Sequence, residues 1–197
     1  DKDSTGRIVI GKNPKSVSGG VLDTEEGCAT ICNNKGELLF YTDGITVWNR
    51  HHSVMKNGTF LKGNPSSTSS GVALPGKDGI YYIFTLDDVG GPDGLCYSIV
   101  DMKEESGKGA VTHKNILLKT PVTEKLTAVR HRNNMDIWVI AHAVGNDDFY
   151  AWKISDEGIN LNPVISSAGT PHLKINGSTL NLQGYMKASP DGSQIAL

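Results

Sequence analysis

Runs of strand-forming residues that are apolar on both faces, short Gly/Asx turns between them and a restart of the same pattern along the chain predict an all-β protein. The class they specify is a β-propeller of four-stranded antiparallel blades. Leu38 to Tyr41, Ile80 to Phe84 and Ile137 to Ile140 place apolar side chains at consecutive positions. A sheet covered on both faces needs that, and a half-solvated one does not. Propeller blades meet the need because each packs between two neighbours, whereas a sandwich alternates more cleanly. The turn anchors Gly36, Gly79, Met135 and Gly192 fall 43, 56 and 57 residues apart, a four-strand unit with loop insertions of unequal length. No segment sustains a helical period, and Gly or Pro interrupts any window long enough to hold one.

The elements follow in order. Residues 7–12 and 16–22 read as two strands, joined by the polar link Asp23 to Gly27 to a strand at 28–33. Asn34-Lys35-Gly36 turns the chain into 37–42, Asp43-Gly44 supplies a tight hairpin into 45–50, and a short strand follows at 53–56. After the Ser/Thr/Asn-rich loop 57–70 the unit restarts as 71–75, 80–86, 95–102 and 111–118, and again as 126–132, 136–143, 149–155 and 159–166. A last pair, 185–189 and 193–197, is joined through Ser189-Pro190-Asp191-Gly192. Naming strands A to D outward from the axis, residues 1–197 make one propeller domain or a fragment of one. The end of a blade lies at 1–27, blades lie at 28–56, 71–118 and 126–166, and the start of another lies at 185–197. These are four blades' worth of strands, so either the terminal pairs close a small ring or the chain belongs to a larger propeller.

Composition narrows the partners. Nineteen Lys+Arg against twenty-one Asp+Glu, with no basic run, argue against nucleic acid, and no apolar stretch approaches the length of a membrane helix. The chain begins at Asp1 without a signal-like apolar region, which is expected of a mature form or a fragment. Three cysteines are too few for a disulfide framework. Cys28 and Cys32, four apart in a strand, stand roughly 13 Å from each other and read with Cys96 as small buried hydrophobes.

Six segments carry a resemblance: Glu37 to Asn49, Gly63-Asn-Pro-Ser-Ser-Thr68, Ile80 to Thr85, Gly94 to Met102, Thr120 to Val129 and Asp136 to His142. Together they resemble the WD40-like propeller domains of large surface or secreted proteins of Bacteroidota, a group associated with type IX secretion, gliding motility and adhesins. Lys187 to Leu197 is similar to the Ser-Pro-Asp-Gly repeat of TolB-type propellers, a turn device in which Pro fixes φ and Gly takes positive φ. The resemblance runs from about Gly27 to Leu197. It implies an extracellular or cell-surface location and a propeller that continues beyond this chain.

In a propeller the D-to-A and B-to-C loops gather on one face, where ligands usually sit. That face is expected to collect Asp43, Asn64, Ser66, Ser67, Thr68, Glu124, Lys125, His142 and Tyr185 as ligand-binding residues, with Asn146 and His172 beside them. The set is polar and net acidic, suited to sugar hydroxyls or a peptide. Asp87, Asp88 and Asp93, and Asp147 and Asp148, are the calcium candidates, although neither group has the alternating oxygen spacing of a Ca²⁺ loop. No other cofactor is expected. Asp43 and His142 hold equivalent places in their units, but Leu86 occupies that place in the unit between, so the two are not expected to touch. Gly-x-Ser-x-Gly, His-Glu-x-x-His, Cys-x-x-Cys and phosphate-loop motifs are all absent. The expected function is therefore a non-catalytic binding module for a glycan, peptide or protein. The alternatives are a carbohydrate-active enzyme using loop carboxylates and a purely structural repeat.

Overall fold

The computed structural model describes residues 18–197, so the strand expected at 7–12 and the start of the one at 16–22 lie outside the described residues. Residues 18–22 run on as unpaired chain, with the Val21 amide donating to the Tyr41 hydroxyl at 3.2 Å. Four antiparallel sheets follow. Sheet I is β1 (Ala29–Cys32), β2 (Leu38–Thr42) and β3 (Val47–Asn49) in that order, and the expected strand at 53–56 is reduced to a bridge between Val54 and Trp48. Sheet II is the meander β4 (Gly71–Pro75), β5 (Ile80–Leu86), β6 (Leu95–Asp101) and β7 (Ala110–Lys119).

Sheet III runs β8 (Val122–Arg130), β9 (Ile137–Ala143), β10 (Asp148–Ser155), with β11 (Gly158–Ile159) and β12 (Val164–Ser167) both paired along β10. One strand was expected at 159–166, and Pro163, which has no N–H for a ladder, stands where it breaks in two. The hairpin β13 (Lys187–Ala188) and β14 (Ile195–Ala196) forms sheet IV. Among the described residues, helical ones are confined to two short 3-10 turns, Glu105–Gly107 and Leu180–Leu182.

First strands lie side by side in two places, β1 beside β4 and β8 beside β13, and the sheets stack face to face. Phe40, Val47, Met55 and Leu61 pack against Ile83, Val100, Met102 and Val111 between sheets I and II, where Phe40 meets the Tyr81 ring edge-on at 5.5 Å. Tyr82, Phe84, Leu86, Leu95 and Tyr97 pack against Val122, Leu126, Val139, Ala141, Trp152 and Ile154 between sheets II and III. The continuous apolar run of β5 is thus two alternating sets, one for each neighbouring sheet, which accounts for a strand with no polar face. In β2 the alternation breaks. Ile31 pairs Phe40 and Cys32 pairs Leu38, so Leu39 is an extra residue and enters the same core as Phe40.

Among the described residues no sheet covers the other face of sheet I. It carries a cavity of about 410 Å³ lined by Leu22, Cys28, Thr30, Cys32, Leu38, Tyr41 and His52, with Trp48 stacked on Tyr41 at 5.5 Å. Cys28 and Cys32 were expected to be buried; both are exposed, because alternate positions of this strand fall on the face that no described sheet covers. Cys96 is buried between sheets, and burial pushes its thiol up to about 11. Iodoacetamide at neutral pH is expected to label Cys28 and Cys32 in the folded protein and Cys96 only in denaturant, counted by peptide mass.

Candidate functional site

The connections entering β4 and β8, and those between β2 and β3, β5 and β6, and β9 and β10, come together at one end of the sheets. The contact begins at the Asp43-Gly44 turn. Asp43 Oδ1 accepts from the Ile45 and Thr46 amides at 2.8 and 2.7 Å, and Thr42 Oγ1 accepts from the Gly44 amide at 2.9 Å. These are the local bonds that make Asp and Thr turn formers. The turn is then seated in the 63–70 loop. The Gly63 amide donates to Gly44 O at 2.9 Å and the Ser70 hydroxyl to Asp43 O at 2.6 Å. Ser67, Thr68, Ser69 and Ser70 are all buried, small polar residues in a segment that passes between the sheet ends.

Glu124 lies at the centre of this end. Between the pairs Val122–Ala143 and Leu126–Ala141, β8 takes four steps to the two of β9, so Thr123 to Lys125 form a bulge. Bulges release side chains from strict alternation and recur beside functional sites. Here Glu124 and Lys125 go to different partners. The Glu124 carboxylate is 0% exposed; Oε2 accepts from the Thr68 amide at 2.9 Å and the Thr68 hydroxyl at 2.8 Å, and Oε1 from the Val89 amide at 3.0 Å. One side chain of sheet III therefore holds two loops of sheet II, and all its bonds come from neutral donors.

Next to it stand the acids of the 87–94 loop. Asp87 accepts from the Asp88 and Asp93 amides at 2.9 and 3.1 Å, and Asn64 Nδ2 donates to Asp88 Oδ1 at 2.9 Å. Partial burial, then the neighbouring Asp87 carboxylate and its hydrogen bond, raise the Asp88 carboxyl above the usual range, with Glu124 adding to the shift. Asp93 is paired with the exposed Lys62. Asp147 and Asp148 lie apart from this group, and Asp148 is occupied by Asn146 Nδ2 at 2.8 Å and the Ser167 hydroxyl at 2.6 Å. Among the described residues no three His, Cys, Asp or Glu side chains converge as metal ligands.

Lys125 goes to the chain segment His172–Tyr185. Its ammonium donates to the carbonyls of Asn181, at 2.8 Å, and Gln183, and burial lowers its pKa despite the opposing Glu124 charge. The Gly184 amide reaches the Thr68 hydroxyl at 3.3 Å, which fastens the same segment to the Glu124 network. His142 is buried, donates Nδ1–H to Ala143 O at 2.7 Å, and stacks on His172 with ring centres 4.2 Å apart. Burial lowers the pKa of both imidazoles, that of His172 to about 4, with the His142 and Lys125 charges adding to the effect. Tyr185, next in the chain, remains 62% exposed with the Lys187 ammonium 5.4 Å from its ring centre.

Of the expected residues, Asn64, Ser66, Ser67, Thr68, Glu124, Lys125, His142 and Tyr185 share this end with Asp87 and Asp88. Asp43 joins through Ser70 and does not contact His142. Residue identity gave no sign of the main-chain partners, the Val89 amide and the Asn181 and Gln183 carbonyls, because any residue supplies those groups. The legible signal was Thr123-Glu124-Lys125, three polar residues at the start of a strand of sheet III. In chemical class the arrangement is a cross-braced polar platform on stacked antiparallel sheets. No family model, curated protein or solved structure matches the chain, so the likeness to Bacteroidota propeller domains rests on the quoted segments alone.

Proposed function

We propose that this chain is a non-catalytic binding module, part of a β-propeller in a secreted or surface protein, that engages a glycan, peptide or partner protein through the loop face around Tyr185. The propeller reading is supported by successive antiparallel meanders stacked face to face, with β1 beside β4 and β8 beside β13. The observation that carries the function is how the polar groups of this face are used. Glu124, Lys125 and Thr68 are turned inward and satisfied by the protein itself, while an aromatic ring is left exposed on the segment they hold. Rigid loops that present an amphipathic aromatic are the arrangement expected of recognition. Secretion to the cell surface belongs to the same proposal through the family resemblance.

A glycosidase needs two carboxyl groups about 5–10 Å apart across a substrate cleft. Glu124 is fully enclosed, and each of five cavities among the described residues is lined by at most one carboxylate. The binding reading requires no cofactor and no Ca²⁺. Glycan-array and peptide-array binding, followed by titration of each hit, tests it. Tyr185→Ala is expected to weaken a true ligand about thirtyfold, the effect of removing an interface hot spot. Hits that bind wild type and Tyr185→Ala alike would place recognition elsewhere.

A further inference from the structure

We infer that the segment His172–Tyr185 is a strap latched by the stacked His142–His172 pair and by Lys125, and that acid opens it, removing Tyr185 from its binding position. The inference rests on the loop-face reading above and concerns how that face is regulated.

The strap has few attachments. At one end the Gly145 amide donates to His172 O at 2.9 Å and the His172 amide to Asn146 O at 3.2 Å, with the two imidazoles stacked alongside. At the other end Lys125 holds the Asn181 and Gln183 carbonyls, the Gly184 amide reaches Thr68, and the Leu182 side chain is buried. Between these ends, residues 173–178 are exposed, and among the described residues their hydrogen bonds stay within the strap: the two mutual bonds of Ile175 and Ser178, and the Leu180 amide donating to the Ser178 hydroxyl at 3.4 Å. The histidine latch works only while the imidazoles are neutral. His142 uses its Nδ1 proton on Ala143 O, and His172 Nδ1 is buried with no partner, so a proton added there would have no acceptor.

The charges around the pair decide the direction. From β8 comes the Lys125 ammonium. From the β9–β10 connection and the start of β10 come Asp147 and Asp148, which favour the charged form of His142 but whose effect is smaller than that of burial and Lys125. The strap contributes Lys174, two residues beyond His172, as its only charged side chain before Lys187. A proton on either ring thus puts a second cation beside a buried lysine whose partners are neutral carbonyls.

The sign follows from linkage. In the closed strap His172 titrates near 4; released to water it returns to an ordinary value near 6.5, so opening takes up a proton between those limits. The latch is complete above pH 6.5 and weakens as pH falls toward 4. Discounted for the partly exposed ring, the open population is expected to rise on the order of tenfold between pH 7 and pH 5.

Amide hydrogen exchange at pH 7 and pH 5, corrected for the intrinsic pH dependence of exchange, tests the strap without any ligand. Exchange of the Gly145, His172 and Gly184 amides is expected to accelerate about tenfold at pH 5, while amides of β5 and β6 stay protected. His172→Phe keeps a ring on His142 and removes the His172 titration, and its strap is expected to lose most of the acceleration at pH 5, leaving the His142 share. Acceleration that persists undiminished in His172→Phe, or no acceleration in the wild type, overturns the latch. If that variant does not fold, NMR titration of the wild-type His172 ring decides. A midpoint near 6.5 in the folded protein refutes the latch, and one below 5.5 supports it. None of these readouts depends on whether Tyr185 binds anything, so the latch and the binding reading fail separately.

Discussion

Gly44→Ala is expected to destabilise the protein by about 3–5 kcal/mol, the sum of a strained backbone and an overpacked contact. Gly44 sits at φ +88°, where an L side chain is disfavoured, and a Cβ there would lie 2.2 Å from Ser70 O and 2.5 Å from its carbonyl carbon. Those are backbone atoms, so no rotamer change relieves the clash. The 63–70 loop must move instead, and it carries the Gly63–Gly44 bond and Thr68, the partner of Glu124. Thermal unfolding is expected to fall by about 10 °C for a chain of this size, with loss of protection in the Thr68 amide as well as in sheet I. Gly36 also has positive φ but meets nothing where its Cβ would stand. Gly36→Ala is therefore expected to cost about 1 kcal/mol, the strain alone. Equal effects from the two substitutions would refute the packing argument.

Glu124→Ala comes next, with an expected loss of about 3–5 kcal/mol by denaturant unfolding. Removing the carboxylate strands the Thr68 amide, the Thr68 hydroxyl and the Val89 amide, all bound to it at 2.8–3.0 Å, and leaves space where the side chain was. Glu124→Gln keeps the volume. Amide donors face both carboxylate oxygens, however, so either orientation of the new amide points an NH₂ at an N–H, and about 2 kcal/mol is expected to be lost. Glu124 is thus assigned to holding the loops, not to touching ligand. If Glu124→Gln folds with wild-type stability and yet loses all ligand binding, that assignment is wrong.

Much of the architecture was open to direct reading. Turn signals and two-faced apolar runs located thirteen strands that are present among the described residues, one of them divided in two. The departures have local causes. Pro163 stands where the outer strand of sheet III is divided, the Leu39 bulge puts adjacent residues into one core, and Cys28 and Cys32 face outward where no described sheet covers β1. On that same uncovered face Trp48 stacks on Tyr41 and does not enter the core shared with sheet II. The site was legible as a set of residues converging on one end. It was not legible as a division of labour, since inward-facing Glu124 and outward-facing Tyr185 are equally plausible ligand groups in a sequence.

By itself the sequence determined the all-β class, the turn positions, the restart of the strand unit and the loops that carry polar side chains. Those properties are local, because Gly, Asx and Pro act on their own backbone and alternation acts within one strand. Tertiary structure alone decided that Glu124 holds Thr68 and Val89, that Lys125 holds Asn181 and Gln183, and that His142 meets His172. Each of those links joins segments distant in sequence and most end on a main-chain group that every residue possesses, so only the packing of one sheet on the next selects the partner.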